Sequence, residues 1–203
     1  MKLKIFTDIS TLIILLLLMP YSLIGEKPHE VLGVAMFALF VLHQILNRNW
    51  YKSLTSGKFN RSRILTTAIN FLILILMILQ IASGVLLSNY LFVFDFYEGM
   101  GTARLIHLAV SYWLFIFVAV HLGFHFKFLK TQLKIKSVTP LKIFAGAISI
   151  YGIYAFINRQ LLDYMFLKSE FVFLDFSENV AFVIADFLAI LILFSCIGYK
   201  IKN

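Results

Sequence analysis

The chain has 203 residues, of which 61% are hydrophobic, and its mean hydropathy is +0.92. No soluble domain could carry that much apolar surface in water, so length and composition describe one integral membrane domain. The net charge of +8 falls in short stretches between apolar runs, which ties it to membrane topology rather than to nucleic acid.

Lys2 and Lys4 precede the first apolar run, 9–24. The residues Leu23-Ile24-Gly25-Glu26 make a poor cleavage site, so the run is expected to be retained as a first span. Further runs follow at 31–46, 64–90, 103–129, 141–157 and 180–199. In lipid each must be a helix, because an isolated strand would leave its backbone unsatisfied. The expected fold is therefore an all-α polytopic membrane protein with six transmembrane helices. Residues 1–130 would form a four-helix bundle and 131–203 two additional helices. The intervening stretch 158–179 mixes apolar and charged residues, and reads either as an amphipathic segment on the outer face or as a folded loop over the bundle mouth.

Loop charges orient the spans. Arg48, Lys52, Lys58, Arg61 and Arg63 lie in one acid-free loop, and Lys127, Lys130, Lys134, Lys136 and Lys142 in another. Both termini are basic, through Lys2, Lys4, Lys200 and Lys202. Glu26, Asp95, Glu98, Asp163, Glu170, Asp175 and Glu178 fall in the alternate segments. This pattern predicts a multi-pass protein of the bacterial cytoplasmic membrane with both termini in the cytoplasm.

The second span carries His29 and His43, and the fourth carries His107 and His121, each pair 14 residues apart. Fourteen helical residues rise about 21 Å, and two heptads keep both histidines on one face of a bundle helix. The two spans run parallel, so His29 and His107 share the outer depth, and His43 and His121 the inner depth. Two imidazoles on opposite sides of a haem give a closed, electron-transfer iron site. The expected cofactors are thus two non-covalent haem b groups, with His29, His107, His43 and His121 as metal ligands. His125, one turn beyond His121, is a competing inner ligand, a residue beside a quinone, or a neighbour of lipid headgroups. The equal spacing favours His121.

Arg104 lies one turn outward of His107, where propionates would project, and Arg61 and Arg63 are weaker candidates for the inner haem. Gly84, beside Ser83, and Gly33 either let a porphyrin approach the backbone or serve helix packing. Asp186 inside the sixth run reads as a solvated helix-end residue or a proton-transfer group. The chain has one cysteine, Cys196, and no C-x-x-C-H sequence, which excludes an internal disulfide and a c-type haem attachment. It also argues against an iron–sulfur cluster held by this chain alone.

Several of these residues fall in ordered motifs. Gly25-Glu26-Lys27-Pro28-His29-Glu30-Val31-Leu32-Gly33 is followed by His43-Gln44 and the stretch from Asn47 to Tyr51. Then come Ser83-Gly84, Arg104, Ile106-His107-Leu108-Ala109-Val110-Ser111-Tyr112-Trp113 and His121-Leu122-Gly123-Phe124-His125. Over roughly residues 5–130 the chain resembles the flavinylation-associated cytochrome family, long described as a domain of unknown function. The resemblance implies a small dihaem membrane cytochrome, an electron-transfer subunit rather than a self-contained enzyme. Such a subunit passes electrons from the quinone pool to an extracytoplasmic flavin-carrying partner, and the matching ligands are His29, His43, His107 and His121. The quinone and flavin connections come from the resemblance, not from spacing. Two rival readings remain. One is the haem core of a transmembrane reductase fed by a cytoplasmic donor; the other is a haem-free transporter, assembly factor or scaffold.

Overall fold

The computed structural model describes residues 2–92, 99–132, 139–173, 175 and 177–202. The outer acids Asp95 and Glu98 and the inner lysines Lys134 and Lys136 lie outside them. Among the described residues the secondary structure is helical, with no strand. In chain order the helices are α1 (Lys2–Leu18), α2 (Tyr21–Ile24), α3 (Glu26–Leu46), α4 (Asn49–Ser53) and α5 (Arg61–Leu86). They continue with α6 (Met100–Phe124), α7 (Phe126–Gln132), α8 (Thr139–Asn158), α9 (Leu161–Met165) and α10 (Val180–Lys202).

Local chemistry sets the breaks. Pro20, which lacks an N–H and restricts its own φ, stands between α1 and α2. Gly25 at φ 86° separates α2 from α3, a conformation that costs glycine little. The Asn60 side chain caps α5 by accepting from the Arg63 N–H at 2.9 Å, which satisfies one of the donors left free in a first turn.

Four helices, α3, α5, α6 and α10, are long and apolar enough to cross a bilayer. Phe6, Ile75, Ile143, Ile150 and Phe182 are among the large apolar side chains exposed on the helices, as lipid contact requires. The chain is a multi-pass membrane protein on these grounds. The other two predicted runs correspond to α1 and α8. The first is cut near Pro20, leaving α1 with 17 residues. The fifth, 141–157, lies within α8, which has 20 residues.

α1 lies along α3, α5 along α6, and α10 against both α6 and α8, while α3 meets α5 only sparingly. The best-buried side chains, Phe115, Leu161, Val183 and Ile190, sit where α6, α9 and α10 meet. Small residues let two backbones touch there. A Cβ on Gly123 would lie 2.0 Å from the Ser195 carbonyl oxygen, and one on Gly198 would lie 2.3 Å from that of Val120. The Ser195 hydroxyl donates to the Ala119 carbonyl at 2.9 Å across the same crossing. Close approach by small residues is the usual way membrane helices gain van der Waals contact without a hydrophobic driving force.

Of the stretch 158–179, the described residues of α9 pack on α6, and Arg159 reaches α10. Leu161, Tyr164 and Met165 of α9 are buried, the Trp113 indole N–H donates to the Met165 carbonyl at 2.9 Å, and Tyr112 stacks on Tyr164. Arg159 joins this fold to α10 by pairing with Glu178 and, through its Nε at 2.8 Å, with Asp186. The Tyr151 hydroxyl donates to Asp186 as well. Asp186 is therefore a buried, ion-paired residue and not the solvated helix-end group its position suggested.

Candidate functional site

α3 and α6 present their histidines to one cavity of about 1980 Å³, whose lining includes His29, His43, His107, His121 and His125. It exceeds the roughly 300–1,000 Å³ of an ordinary small-molecule pocket.

At one end His29 and His107 face each other with ring centroids 6.2 Å apart and planes at 72°. The His107 ring is held from α5. Its Nδ1 lies 3.1 Å from the Ser83 hydroxyl oxygen, and that hydroxyl donates to the Leu79 carbonyl at 2.7 Å. Ser83 has one proton and commits it to the backbone, so Nδ1–H of His107 is the donor and Ser83 the acceptor. The lone pair is then on Nε2, where the Gln80 amide sits at 3.0 Å. Gly84 serves the same ring: a Cβ there would stand 3.1 Å from His107 Cε1. Its close neighbour is thus the imidazole, whereas the sequence had suggested a porphyrin or plain helix packing. Nδ1 of His29 is buried without a partner.

The helix carrying His29 is tied down beside it. Both carboxylate oxygens of Glu30 accept hydrogen bonds, from the Ser88 hydroxyl at 2.7 Å and from the backbone N–H groups of Asn89 at 2.7 Å and of Tyr90 and Leu91 at 3.1 Å. Arg104 also lines the cavity, its guanidinium 4.2 Å from the centre of the Phe171 ring.

At the other end His43 is oriented by a residue that sequence reading passed over. Its Nδ1 lies 2.7 Å from Asp8 Oδ1 on α1, so the carboxylate accepts the Nδ1–H bond and Nε2 keeps the lone pair. His121 and His125 stand side by side, ring centroids 4.6 Å apart. Nδ1 of His121 and Nε2 of His125 are buried without partners. Lys202 Nζ donates to the Phe124 carbonyl at 2.9 Å, placing a cation at the C-terminal end of α6, where the helix dipole favours one.

The arrangement suits a cofactor gripped by imidazole pairs. With metal–imidazole bonds of about 2 Å, two imidazoles sharing one metal have ring centres about 6 Å apart; His29 and His107 have that separation, with His107 Nε2 bonded to the Gln80 amide in place of a metal. Among the described residues no group of three or more His, Cys, Asp or Glu is placed to hold a bare metal ion. The buried unpartnered nitrogens of His29, His121 and His125 and the size of the cavity are compatible with an imidazole-held haem. No family model matches the chain, and neither does any curated protein or solved structure.

Not every sequence candidate reaches this site. Arg61 and Arg63 are not among the cavity-lining residues. Arg63 instead donates to the carbonyls of Lys58 and Ser53 and covers Phe59, which closes the loop before α5. Gly33 does line the cavity, with nothing within 4 Å of a Cβ built on it. Asp8 and Gln80 were missed. The signal for Asp8 was its place: an acid inside a helix that is otherwise basic at its start and apolar beyond.

Proposed function

We propose that the chain is a dihaem b-type membrane cytochrome that carries electrons across the bilayer. Haem, when bound, supplies the one-electron carrier. The chain's own residues hold and insulate it. His29 and His107 would be the ligands at one end, and His43 with His121 those at the other, with His125 beside them. Ser83 and Asp8 fix the tautomers of His107 and His43 and leave Nε2 of each ring as the donor to a metal, which on His107 means displacing the Gln80 amide that now occupies it. Arg104, which lines the same cavity, would be the cation for a propionate. The apolar walls exclude water, which favours transfer of an electron without a proton.

The observation that supports the reading most is that α3 and α6 bring His29 and His107 together, ring centroids 6.2 Å apart, in the cavity that His43 and His121 also line. The motif likeness to flavinylation-associated cytochromes supports the further reading of a quinol donor and an extracytoplasmic flavin-carrying acceptor. Six spans and cytoplasmic termini belong to the same proposal and rest on loop charge.

The test is a reduced-minus-oxidised spectrum with haem quantification on chain purified after expression with ample haem. Two haems per chain are expected. His43→Ala and His107→Ala should each remove about half. At the His43 end, His121→Ala should remove that haem while His125→Ala keeps it. A folded, colourless protein would sink the cytochrome reading, and the reverse result for the last two variants would reassign the ligand to His125.

A further inference from the structure

The two ends of the cavity hold their histidines differently. His107 gives its Nδ1–H to a neutral hydroxyl, Ser83, at 3.1 Å. His43 gives its Nδ1–H to a carboxylate, Asp8, at 2.7 Å. Charge-assisted hydrogen bonds are shorter and stronger than neutral ones. A carboxylate on the far nitrogen pushes electron density onto the ligating nitrogen and makes the imidazole more basic. A more basic axial ligand stabilises the oxidised, more positive iron relative to the reduced one, and second-shell hydrogen bonding of this kind tunes the potential.

The sequence places these residues well for that role. Asp8 is on α1 and His43 on α3, helices that lie against each other along their length. The Asp8 side chain is 39% exposed and that of His43 is 32%, so the pair sits at the cavity's rim and not in its depth. Lys202 approaches the same end, but its ammonium is bonded to the Phe124 carbonyl and reaches the imidazoles only through space. The direct bond on His43 outweighs it.

We infer that Asp8 is a positioning residue which makes the His43 end of the cavity the harder of the two to reduce, so that electrons run downhill from the His43 end to the His29–His107 end. One end loses the electron the other gains, and no bond or proton changes hands. This rests on the dihaem reading and adds to it a direction, set by the contrast between Asp8 and Ser83.

A potentiometric titration of the full haem-loaded chain tests it, following the optical spectrum. His43→Ala should abolish the lower-potential wave and leave the other. Asp8→Asn should move that lower wave upward while the second wave stays, and Asp8→Glu should restore it toward its original place. If both waves stay in Asp8→Asn, or shift alike, the inference fails. Should Asp8→Asn lose the haem at that end, the unaltered chain decides: a His43-dependent wave lying above its partner overturns the inference, and one lying below supports it. Absence of haem from the unaltered chain would overturn the dihaem reading along with the inference, whereas bound haems in the wrong order overturn the inference alone.

Discussion

A single missing side chain positions the His107 imidazole. Gly84 leaves room for the ring where a Cβ would press on Cε1 at 3.1 Å, and a larger group would displace it from Ser83. Gly84→Leu is therefore expected to lose about half of the bound haem, with the His43 end kept. Haem quantification on the folded variant checks this, and retention of both haems would refute it. The histidines were legible in the sequence because ionisable groups inside apolar runs are expensive and few. Their partners were not. Ser83 and Gly84 were noticed as small residues and as part of a motif, and Asp8 was passed over, because what each touches depends on which helices pair. Pairing is set by side-chain fit across helices and leaves little trace in the order of residues along one of them.

At the scale of the helix, the crossing of α6 and α10 is the least tolerant contact. Gly123→Leu would drive a side chain into the Ser195 carbonyl, 2.0 Å from the new Cβ. Backbone cannot yield as a flexible side chain does, so the cost should reach about 3 kcal/mol, the upper end of ordinary overpacking. Gly101→Leu is the control on the same helix, since nothing lies within 4 Å of its Cβ position. Thermal unfolding in detergent should separate the two, and equal midpoints would count against the crossing. Apolar run length predicted α3, α5, α6 and α10 well, because lipid forces such runs into helices. The first run, 9–24, is divided at Pro20, whereas the fifth, 141–157, lies wholly within α8 and ends just before Arg159 turns to Glu178 and Asp186.

For the molecule as a whole, topology follows from the distribution of lysine and arginine. In a Cys196→Ser background, Ser56→Cys should react with a membrane-impermeant thiol reagent only in lysed cells, and Lys168→Cys in intact ones. The opposite pattern would invert the chain and exchange the inner and outer ends of the cavity. The arrangement of helices around that cavity was only partly legible. Parallel α3 and α6 followed from counting spans, but the tight contact of α10 with α6 did not, since no pattern in 180–199 named its partner. The Glu30 carboxylate, bonded to Ser88, Asn89, Tyr90 and Leu91, has a consequence at this scale. A slip of α3 by one residue would carry His29 about 1.5 Å along the helix and about 100° around it, away from His107. Many alignments of two greasy helices are nearly equal in energy, but only one offers Glu30 its four donors. The carboxylate acts as an index pin, choosing the alignment that brings His29 level with His107.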